Sequence, residues 1–151
     1  MGKLTGKVAI VTGAGGGLGR AHAMLLAHEG ASVIVNDLGG SRDGTGSGSS
    51  MADTVVEEIK AAGGQAAANY GSVTDDGAAE SMVKSAVDNF GRLDILINNA
   101  GILRDRSFKN MTDAEWDAVI DVHLRGSYLA TKHAWQQMMS QGEGGRIIMT
   151  S

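Results

Sequence analysis

Short apolar runs rich in β-branched residues alternate along this chain with longer segments whose apolar residues recur at helical spacing. The short runs predict buried strands, and the longer segments predict amphipathic helices. The predicted strands are residues 8–11, 32–37, 65–70, 93–97 and 146–150, and the predicted helices are residues 18–29, 52–62, about 76–90 and 113–141. This alternation predicts an α/β fold in which helices cover both faces of a parallel sheet.

Right-handed crossovers between successive strands predict a doubly wound sheet with the strand order 3-2-1-4-5. The 151 residues are enough for one domain with a substantial core, and the sequence has no interdomain linker. We therefore expect one domain over residues 1–151, truncated after strand 5 and incomplete at its C-terminal side. Ligands of such sheets bind at the carboxyl ends of the strands, near the switch point between strands 1 and 4.

Glycines and capping residues predict where several helices begin and end. Gly91 is a typical helix terminator, and either Asp75 or Asp76 suits the N-cap of the third helix. Residues 112–115 (Thr-Asp-Ala-Glu) form a capping box that opens the fourth helix. Residues 38–50 hold five glycines without periodicity, which predicts a long flexible loop.

The fourth predicted helix carries two stripes at helical spacing. One consists of mostly small residues suited to close contact with the sheet: Val119, His123, Ser127, Ala130 and Ala134. The other is large and apolar: Ile120, Leu124, Tyr128, Trp135 and Met139. The large stripe has two interpretations, which are packing in the core and a subunit interface.

Composition and charge exclude several classes of function. The net charge of −4, without a basic block, argues against nucleic acid or an anionic membrane as the main partner. The absence of cysteine excludes disulfides, thiolate metal sites and a cysteine nucleophile. The four histidines lack the spacing of metal ligands, so we expect no metal site. No stretch resembles a signal peptide or a membrane span, which favours a soluble, cytoplasmic protein.

A glycine-packed turn follows the first strand and precedes the first helix. Gly13, Gly17 and Gly19 give it the spacing G-x-x-x-G-x-G. A strand, a glycine turn and a helix together place backbone N–H groups and a helix N-terminus against a pyrophosphate. We expect Gly13 to form the tight turn, Gly17 to admit the phosphates and Gly19 to allow close packing of helix on strand. The alternative is an ordinary strand–helix turn that is rich in glycine.

Polar residues also follow the second and fourth strands. Asp37 closes the second strand, where a carboxylate can accept hydrogen bonds from both hydroxyls of an adenosine ribose and repels a 2′-phosphate. This favours NAD over NADP, although Arg20 and Arg42 are cations that can accommodate the extra phosphate. Residues 98–101 (Asn-Asn-Ala-Gly) follow the fourth strand, where the amides can tie neighbouring strands together and reach a ribose. The alternative for Asp37 is a surface acid at a strand end, although the glycine turn favours the ribose role. In isolation, residues 98–101 are better explained as an ordinary turn.

In order and spacing, these motifs resemble the short-chain dehydrogenase/reductase family, whose fold is the Rossmann fold. The motifs that match are Thr12-Gly13-x-x-x-Gly17-x-Gly19, Asp37, Asn98-Asn99-Ala100-Gly101 and the Gly-Arg-Ile-Ile-Met-Thr-Ser ending at residues 145–151. Residues 35–40, 102–108 and 122–127 further resemble the (3R)-hydroxyacyl-CoA dehydrogenase domains of peroxisomal multifunctional enzymes and their bacterial relatives. The resemblance covers the whole chain and implies NAD-linked interconversion of a secondary alcohol and a ketone.

The resemblance also implies a role for particular residues around the cofactor. The assigned residues are Gly13, Gly17, Leu18 and Gly19 at the pyrophosphate, Asp37 at the adenosine ribose, Ser72 and Val73 at the adenine, and Asn99, Ala100 and Gly101 at the ribose on the nicotinamide side. Ser72 stands where the family usually has Asp. His123 stands where the family usually has a catalytic Asn, so it is either a proton relay or a hydrogen-bonded helix histidine.

The catalytic Ser and the Tyr-x-x-x-Lys motif of the family are expected beyond this sequence. Ser151 aligns with the first residue of the family's Ser-Ser pair, and the Tyr would follow about a dozen residues later. Tyr128 and Lys132 match the Tyr-x-x-x-Lys spacing, but they lie in mid-helix without the preceding Ser strand, so we interpret the match as chance.

We therefore predict the cofactor-binding part of an NAD-dependent oxidoreductase for a small molecule such as a 3-hydroxyacyl-CoA. The 151 residues alone are expected to be inactive, and the complete protein is expected to form a homo-oligomer. An alternative is a non-catalytic dinucleotide-binding module, and a relative that modifies nucleotide sugars is a third interpretation that the glycine spacing disfavours. A peroxisomal address would lie beyond residue 151, so a peroxisomal location stays open.

Overall fold

The computed structural model describes residues 2–41 and 43–151. Its strands are β1 (Val8–Thr12), β2 (Ser32–Asn36), β3 (Gln65–Asn69), β4 (Ile95–Asn98) and β5 (Arg146–Met149). Its α-helices are α1 (Gly17–His28), α2 (Ser50–Ala61), α3 (Asp76–Phe90), α4 (Asp113–Ile120) and α5 (Gly126–Gln141). A 3₁₀ turn (Phe108–Asn110) precedes α4, and a π-helical segment (Asp121–Arg125) joins α4 to α5.

The strands form one parallel sheet in the order β3-β2-β1-β4-β5, which confirms the predicted fold. The order places β1 between β2 and β4, so the carboxyl ends of these three strands lie side by side. The chain leaves β1 toward α1 and β2 on one side, and it later returns to β4 on the other. The switch point therefore lies at the end of β1, where the glycine turn begins.

Alternate residues of the central strands face two separate cores. One core packs α1 and α2 against one side of the sheet, and the other packs α3 and α5 against the opposite side. Ala9 and Val11 of β1 lie in the first core, whereas Val8 and Ile10 lie in the second, as the two-residue period of a strand requires. Burial on both faces explains why these strands read as uninterrupted apolar runs.

The helix ends follow the predicted signals within two residues, except at the long fourth helix. Asp75 is the N-cap of α3, and its carboxylate accepts the Ala78 N–H at 2.6 Å. Gly91 ends α3 with φ +81°, and the capping box at the start of α4 is complete. The predicted helix over 113–141 is interrupted by the π-helical segment, where the Gly126 N–H bonds to the Asp121 carbonyl.

Gly126 allows α5 to pack closely against the loop after β3. A Cβ built on Gly126 would lie 2.7 Å from Val73 Cγ2, so any larger residue there would push the loop and helix apart. The small stripe of α5 continues this contact, since Ala130 and Ala134 are fully buried in the second core. His123 of the same stripe remains exposed.

The large apolar stripe does not pack in the core. Leu124, Tyr128, Trp135 and Met139 are each about 60% exposed or more, and Ile120 is exposed as well. The stripe forms one side of the helical segment that faces away from the sheet. Its core interpretation is wrong, and the subunit-interface interpretation remains a prediction.

A carboxylate holds the amino ends of β1 and β4 together. Asp94 is 5% exposed, accepts the Val8 N–H at 2.9 Å and forms an ion pair with Arg92 at 2.6 Å. Burial raises the pKa of Asp94, but the hydrogen bonds from Arg92 and the Val8 amide outweigh it, so the pKa lies below its usual value. Among the described residues, no helix is long and apolar enough to cross a bilayer.

Candidate cofactor site

The glycine turn at the end of β1 is shaped by close contacts and by left-handed backbone. Gly13 has φ +63°, and a Cβ on it would lie 2.9 Å from Ala100 Cα. Gly17 has φ +52° and faces open space, which leaves its backbone accessible. A Cβ on Gly19 would overlap the Gly13 carbonyl and approach the Asn99 amide within 2.5 Å. The contacts at Gly13 and Gly19 agree with the tight turn and the close packing that the spacing predicts, and the phosphate role of Gly17 stays a prediction.

Gly15 is a fourth constrained glycine, which the sequence motif does not single out. Its N–H donates to Asp37 Oδ2 at 2.8 Å, and a Cβ on it would lie 2.7 Å from both that oxygen and Met51 Cβ. The turn is therefore pressed between the end of β2 and the start of α2. Asp37 at the end of β2 and Met51 of α2, both distant in sequence, together leave no room for a side chain at this position.

Asp37 follows β2 directly and points its carboxylate toward the glycine turn. Its second oxygen, Oδ1, accepts the Gly39 N–H at 2.7 Å. Two backbone amides thus fix the carboxylate from opposite sides, and it lines the cleft at the switch point. A fixed acceptor in this position can receive hydroxyl donors from a sugar and repels a phosphate.

Thr12 ties β1 to the segment after β4. Its Oγ1 accepts the N–H groups of Asn99 at 3.0 Å and Ala100 at 2.9 Å, and it lies 3.4 Å from the Ile97 carbonyl. The Asn99 side-chain amide donates in return to the carbonyls of Thr12 at 3.0 Å and Gly13 at 3.2 Å. As predicted, the second amide of the Asn-Asn pair ties neighbouring strands together.

Two buried asparagines hold the remaining walls. Asn36 Nδ2 donates to Asn69 Oδ1 at 2.8 Å and to the Gly71 carbonyl at 2.9 Å, which fixes the segment after β3. Asn98 Nδ2 donates to Thr131 Oγ1 at 3.0 Å, which fixes α5 against β4. Both asparagines are at most 5% exposed, so these bonds are shielded from water.

These elements enclose a cleft of about 360 Å³ at the carboxyl ends of the strands. The predicted residues that line it are Gly13, Gly17, Asp37, Ser72, Val73, Asn99, Ala100 and Gly101. Leu18 and Gly19 lie outside the lining: Leu18 is 69% exposed, and Gly19 is buried beneath the turn. Met51 and Ile102 also line the cleft, although the motifs did not point to them.

The glycine-rich loop after β2 forms one rim of the cleft. Its ends are joined by the Gly48 N–H, which bonds to the Leu38 carbonyl at 2.9 Å. At its tip the Thr45 and Ser41 hydroxyls and the Thr45 amide bond to Asp43, which lowers the pKa of Asp43 to about 2. The loop is thus internally hydrogen-bonded, although the sequence predicts only flexibility there.

His123 lies beside Ile102, at the edge of the cleft formed by the segment after β4. Its Nε2 is 3.0 Å from the Ile102 carbonyl and 3.1 Å from the Ile102 N–H, so its tautomer decides which of the two it bonds. The ring also fills the space beside Gly101, where a Cβ would lie 2.7 Å from Cε1. This geometry agrees with a histidine that holds the 101–102 segment, and the relay role remains a prediction.

Arg20 and Arg42 are the two cations considered as partners for a 2′-phosphate. Arg20 is held by Glu58 of α2, with Nε at 2.8 Å and Nη2 at 2.6 Å from the same carboxylate oxygen. Arg42 lies outside the described residues. The Tyr-x-x-x-Lys pair that we interpret as a chance match does not line the cleft. Tyr128 is exposed, and Lys132 pairs with Asp76 at 3.2 Å.

Comparison with known proteins agrees with this geometry. The chain is 57% identical over 149 residues to peroxisomal multifunctional enzyme type 2 of Mus musculus, covering 99% of this chain and 20% of that protein. It is 48% identical over 152 residues to hydroxyacyl-CoA dehydrogenase ChsB1 of Mycobacterium tuberculosis, covering 96% of this chain and 45% of that one. The chain thus spans about half of these curated relatives at most.

A solved structure and a family model match the whole fold. Carveol dehydrogenase from Mycobacterium avium, in complex with NAD, superposes with a TM-score of 0.92 at 34% identity, covering 100% of this chain and 56% of that one. The family model for short chain dehydrogenase matches residues 7–151. The chain belongs to the short-chain dehydrogenase family.

Proposed function

We propose that the cleft binds NAD and that the chain is the cofactor-binding part of an alcohol dehydrogenase or ketone reductase. The observation that carries the proposal is the Asp37 carboxylate, held by the Gly15 and Gly39 amides beside a turn that only glycine fits. A dinucleotide has the parts that this cleft can bind: a pyrophosphate for backbone N–H groups and a ribose diol for a carboxylate.

The residues proposed to hold the cofactor line the cleft, except Leu18 and Gly19, which lie at the start of α1 outside the lining. They are Gly13, Gly17, Leu18 and Gly19 for the pyrophosphate, Asp37 for the adenosine ribose, Ser72 and Val73 for the adenine, and Asn99, Ala100 and Gly101 for the second ribose. Asp37 disfavours a 2′-phosphate, and the ion pair with Glu58 keeps Arg20 occupied. The proposed preference is therefore for NAD over NADP.

The proposed reaction interconverts a secondary alcohol and a ketone. A bound nicotinamide would supply the hydride acceptor or donor for the substrate carbon, and the hydroxyl proton would pass to a base. A 3-hydroxyacyl-CoA is the proposed substrate, supported by the name of the 48%-identical hydroxyacyl-CoA dehydrogenase. His123 is proposed to position the 101–102 segment and, through its imidazole, to pass the proton on to water.

The exposed apolar stripe on the π-helical segment and α5 is proposed to be a subunit interface in the complete protein. Leu124, Tyr128, Trp135 and Met139 present adjacent apolar surface, and large aromatic side chains are enriched in such contacts. Sedimentation of the complete gene product tests this proposal, since a strictly monomeric protein would contradict it. The names of the eukaryotic relatives support a peroxisomal location.

The cofactor proposal is tested by Asp37→Ala in the complete gene product, with calorimetric titration of NAD and NADP. We expect NAD binding to weaken roughly ten- to a hundredfold, because charge-assisted hydrogen bonds contribute about 1.5–3 kcal/mol. NADP binding should weaken less, which narrows the gap between the two cofactors. Asp117→Ala, at an exposed acid of α4, is the matched control and should leave both affinities unchanged.

Two results would contradict the proposal. An unchanged NAD preference in Asp37→Ala would remove the assigned role of this carboxylate. Undetectable binding of either dinucleotide to the wild-type protein would remove the whole cofactor assignment. Dinucleotide binding without turnover of any alcohol or ketone would favour the non-catalytic binding module instead.

A further inference from the structure

The segment that follows Ile102 at the edge of the cleft exposes cations and large apolar side chains together. Residues 103–109, here named the cationic segment, carry three cations against one carboxylate in a protein whose net charge is −4. They also expose two large apolar side chains: Leu103 is 63% exposed and Phe108 is 87% exposed. The segment therefore offers cations and an aromatic ring side by side in the sequence.

The cations of this segment are not all occupied. Arg106 is held by Glu115, with Nη2 at 2.7 Å and Nε at 2.9 Å from one carboxylate oxygen. Arg104 is different: within residues 2–41 and 43–151, its Nε is shielded from solvent and has no hydrogen-bond partner. Lys109 forms no ion pair within the same described ranges.

The segment is anchored beside the cleft at both ends. Ile102 lines the cleft and contacts His123, while the Arg106–Glu115 pair fastens the far end to the capping box of α4. The glycine-rich loop touches Ile102, directly before this segment, since a Cβ on Gly44 would lie 2.9 Å from Ile102 Cγ2. The glycine-rich loop thus comes close to the cationic segment across the rim.

We propose that the cationic segment binds the nucleotide end of coenzyme A, with Arg104 and Lys109 on its phosphates and Phe108 on its adenine. The proposal rests on the proposed function, because it supplies the handle of an acyl-CoA whose reacting carbon lies in the cleft. Arginine binds phosphate through its planar fork, and lysine binds it as a point charge. Stacking of a base on an exposed aromatic ring contributes about 1–3 kcal/mol.

The observations favour a compact nucleotide over a protein-borne thioester. The two unpaired cations and the exposed ring lie within six residues of one another in the sequence, and Asp105 lies among them. A small ligand with three phosphates and one base can use so short a segment. A carrier protein would need a broad positive surface, which this segment with its interspersed acids does not offer.

The test measures CoA binding to the complete gene product saturated with NADH, so that the dinucleotide cleft is filled. Calorimetric titrations compare the wild type, the double variant Arg104→Gln/Lys109→Gln, Phe108→Ala, and the control Lys84→Gln on α3. We expect the double variant to raise the Kd of CoA roughly tenfold, because it removes the two charges that are proposed to bind the phosphates. Phe108→Ala should raise it similarly, and Lys84→Gln should leave it unchanged.

A second ligand and a second readout separate the possible failures. Dephospho-CoA should bind the wild type more weakly than CoA and should be less affected by the double variant. Equal affinities in all variants, or no measurable CoA binding, overturns the inference. A preference for acyl-carrier-protein thioesters that the double variant abolishes overturns it too, in favour of protein docking. Turnover of acetoacetyl-CoA with NADH is assayed separately, and its failure counts against the proposed function, whereas the CoA titration alone decides the inference.

Discussion

Replacing Thr12 with Val removes a hydroxyl from the centre of the switch point and leaves the shape of the side chain nearly unchanged. Thr12 is 1% exposed, and its Oγ1 accepts the amides of Asn99 and Ala100 at 3.0 and 2.9 Å. Valine accepts neither amide. The substitution therefore leaves two N–H groups without an acceptor where the chain turns from β4 into the cleft wall.

The expected cost follows from the two orphaned donors. An unsatisfied buried donor costs roughly 1–3 kcal/mol. Asn99 and Ala100 are only half-buried, so water can partly solvate their amides. The cost of each unsatisfied donor therefore lies toward the lower end of this range. We expect Thr12→Val to lower the free energy of unfolding by about 2–4 kcal/mol. The bond to the Ile97 carbonyl adds little, since at 3.4 Å it is long for a hydroxyl donor.

Urea denaturation of the complete gene product measures this change, and NAD titration measures its effect on the cleft. With an m-value of about 2 kcal/mol/M, the midpoint should fall by about 1–2 M. NAD affinity should fall as well, because Thr12 holds the segment that carries Asn99 against the glycine turn.

Thr12→Ser is the matched control, because it keeps the hydroxyl and loses only a methyl group. It should cost about 1 kcal/mol. Thr12→Val as stable as the wild type would refute the reasoning. So would Thr12→Ser as unstable as Thr12→Val, because loss of a methyl group would then cost as much as loss of the hydroxyl that accepts both amides.

Three further predictions use other contacts of the structure. Gly19→Ala should lower the free energy of unfolding by about 1–3 kcal/mol through overpacking, whereas Gly77→Ala, where a Cβ meets only ordinary contact, should raise it by about 0.4–1 kcal/mol. Asp94→Asn should cost about 1–3 kcal/mol near pH 7 by removing the charge that Arg92 binds. Because the folded pKa of Asp94 is depressed, its contribution is full above pH ~4 and is lost as pH falls through the folded pKa. His123→Ala should free the 101–102 segment and weaken NAD binding several-fold.

Each of these is checked by one comparison. Chemical denaturation of the two glycine variants should give changes of opposite sign, and equal destabilisation would show that the turn is not specially crowded. Denaturation between pH 3 and pH 7 should show a steeper loss of stability in the wild type than in Asp94→Asn, so parallel pH profiles would contradict the ion-pair argument. Unchanged NAD affinity in His123→Ala would remove its positioning role.

The sheet can be predicted from the sequence because the residues within each strand are enough to identify that strand. Uninterrupted apolar runs indicate strands covered on both faces, and the handedness of crossovers then leaves few strand orders. The constrained glycines at 13, 17 and 19 follow from the same local logic, since strand and helix are only a turn apart. Gly13 and Gly19 are also crowded by Ala100 and Asn99, which are distant in sequence, whereas Gly17 faces open space.

The features that the sequence could not predict arise where elements that are distant in sequence come into contact. Gly15 and Met51 become part of the site only because α2 packs against the turn, and Arg20 is occupied only because Glu58, 38 residues away, reaches it. The π-helical segment has no marker until Gly126, so the helix reads as continuous. The helical period identified the large apolar stripe that contains Tyr128. Periodicity alone does not show whether such a stripe faces the sheet or the solvent.

The double anchoring of Asp37 constrains how this protein can evolve. The carboxylate that would select the cofactor also satisfies the Gly15 and Gly39 amides, so any neutral replacement disturbs the turn and the loop at once. A protein that evolves toward a cofactor with a 2′-phosphate would therefore lose folding stability before it gained affinity for that cofactor. Such a change is accessible only after a compensating substitution elsewhere, or when the incoming phosphate itself accepts the orphaned amide hydrogens. Cofactor choice and folding are thus coupled in one side chain, and mutations at this position should show strong epistasis.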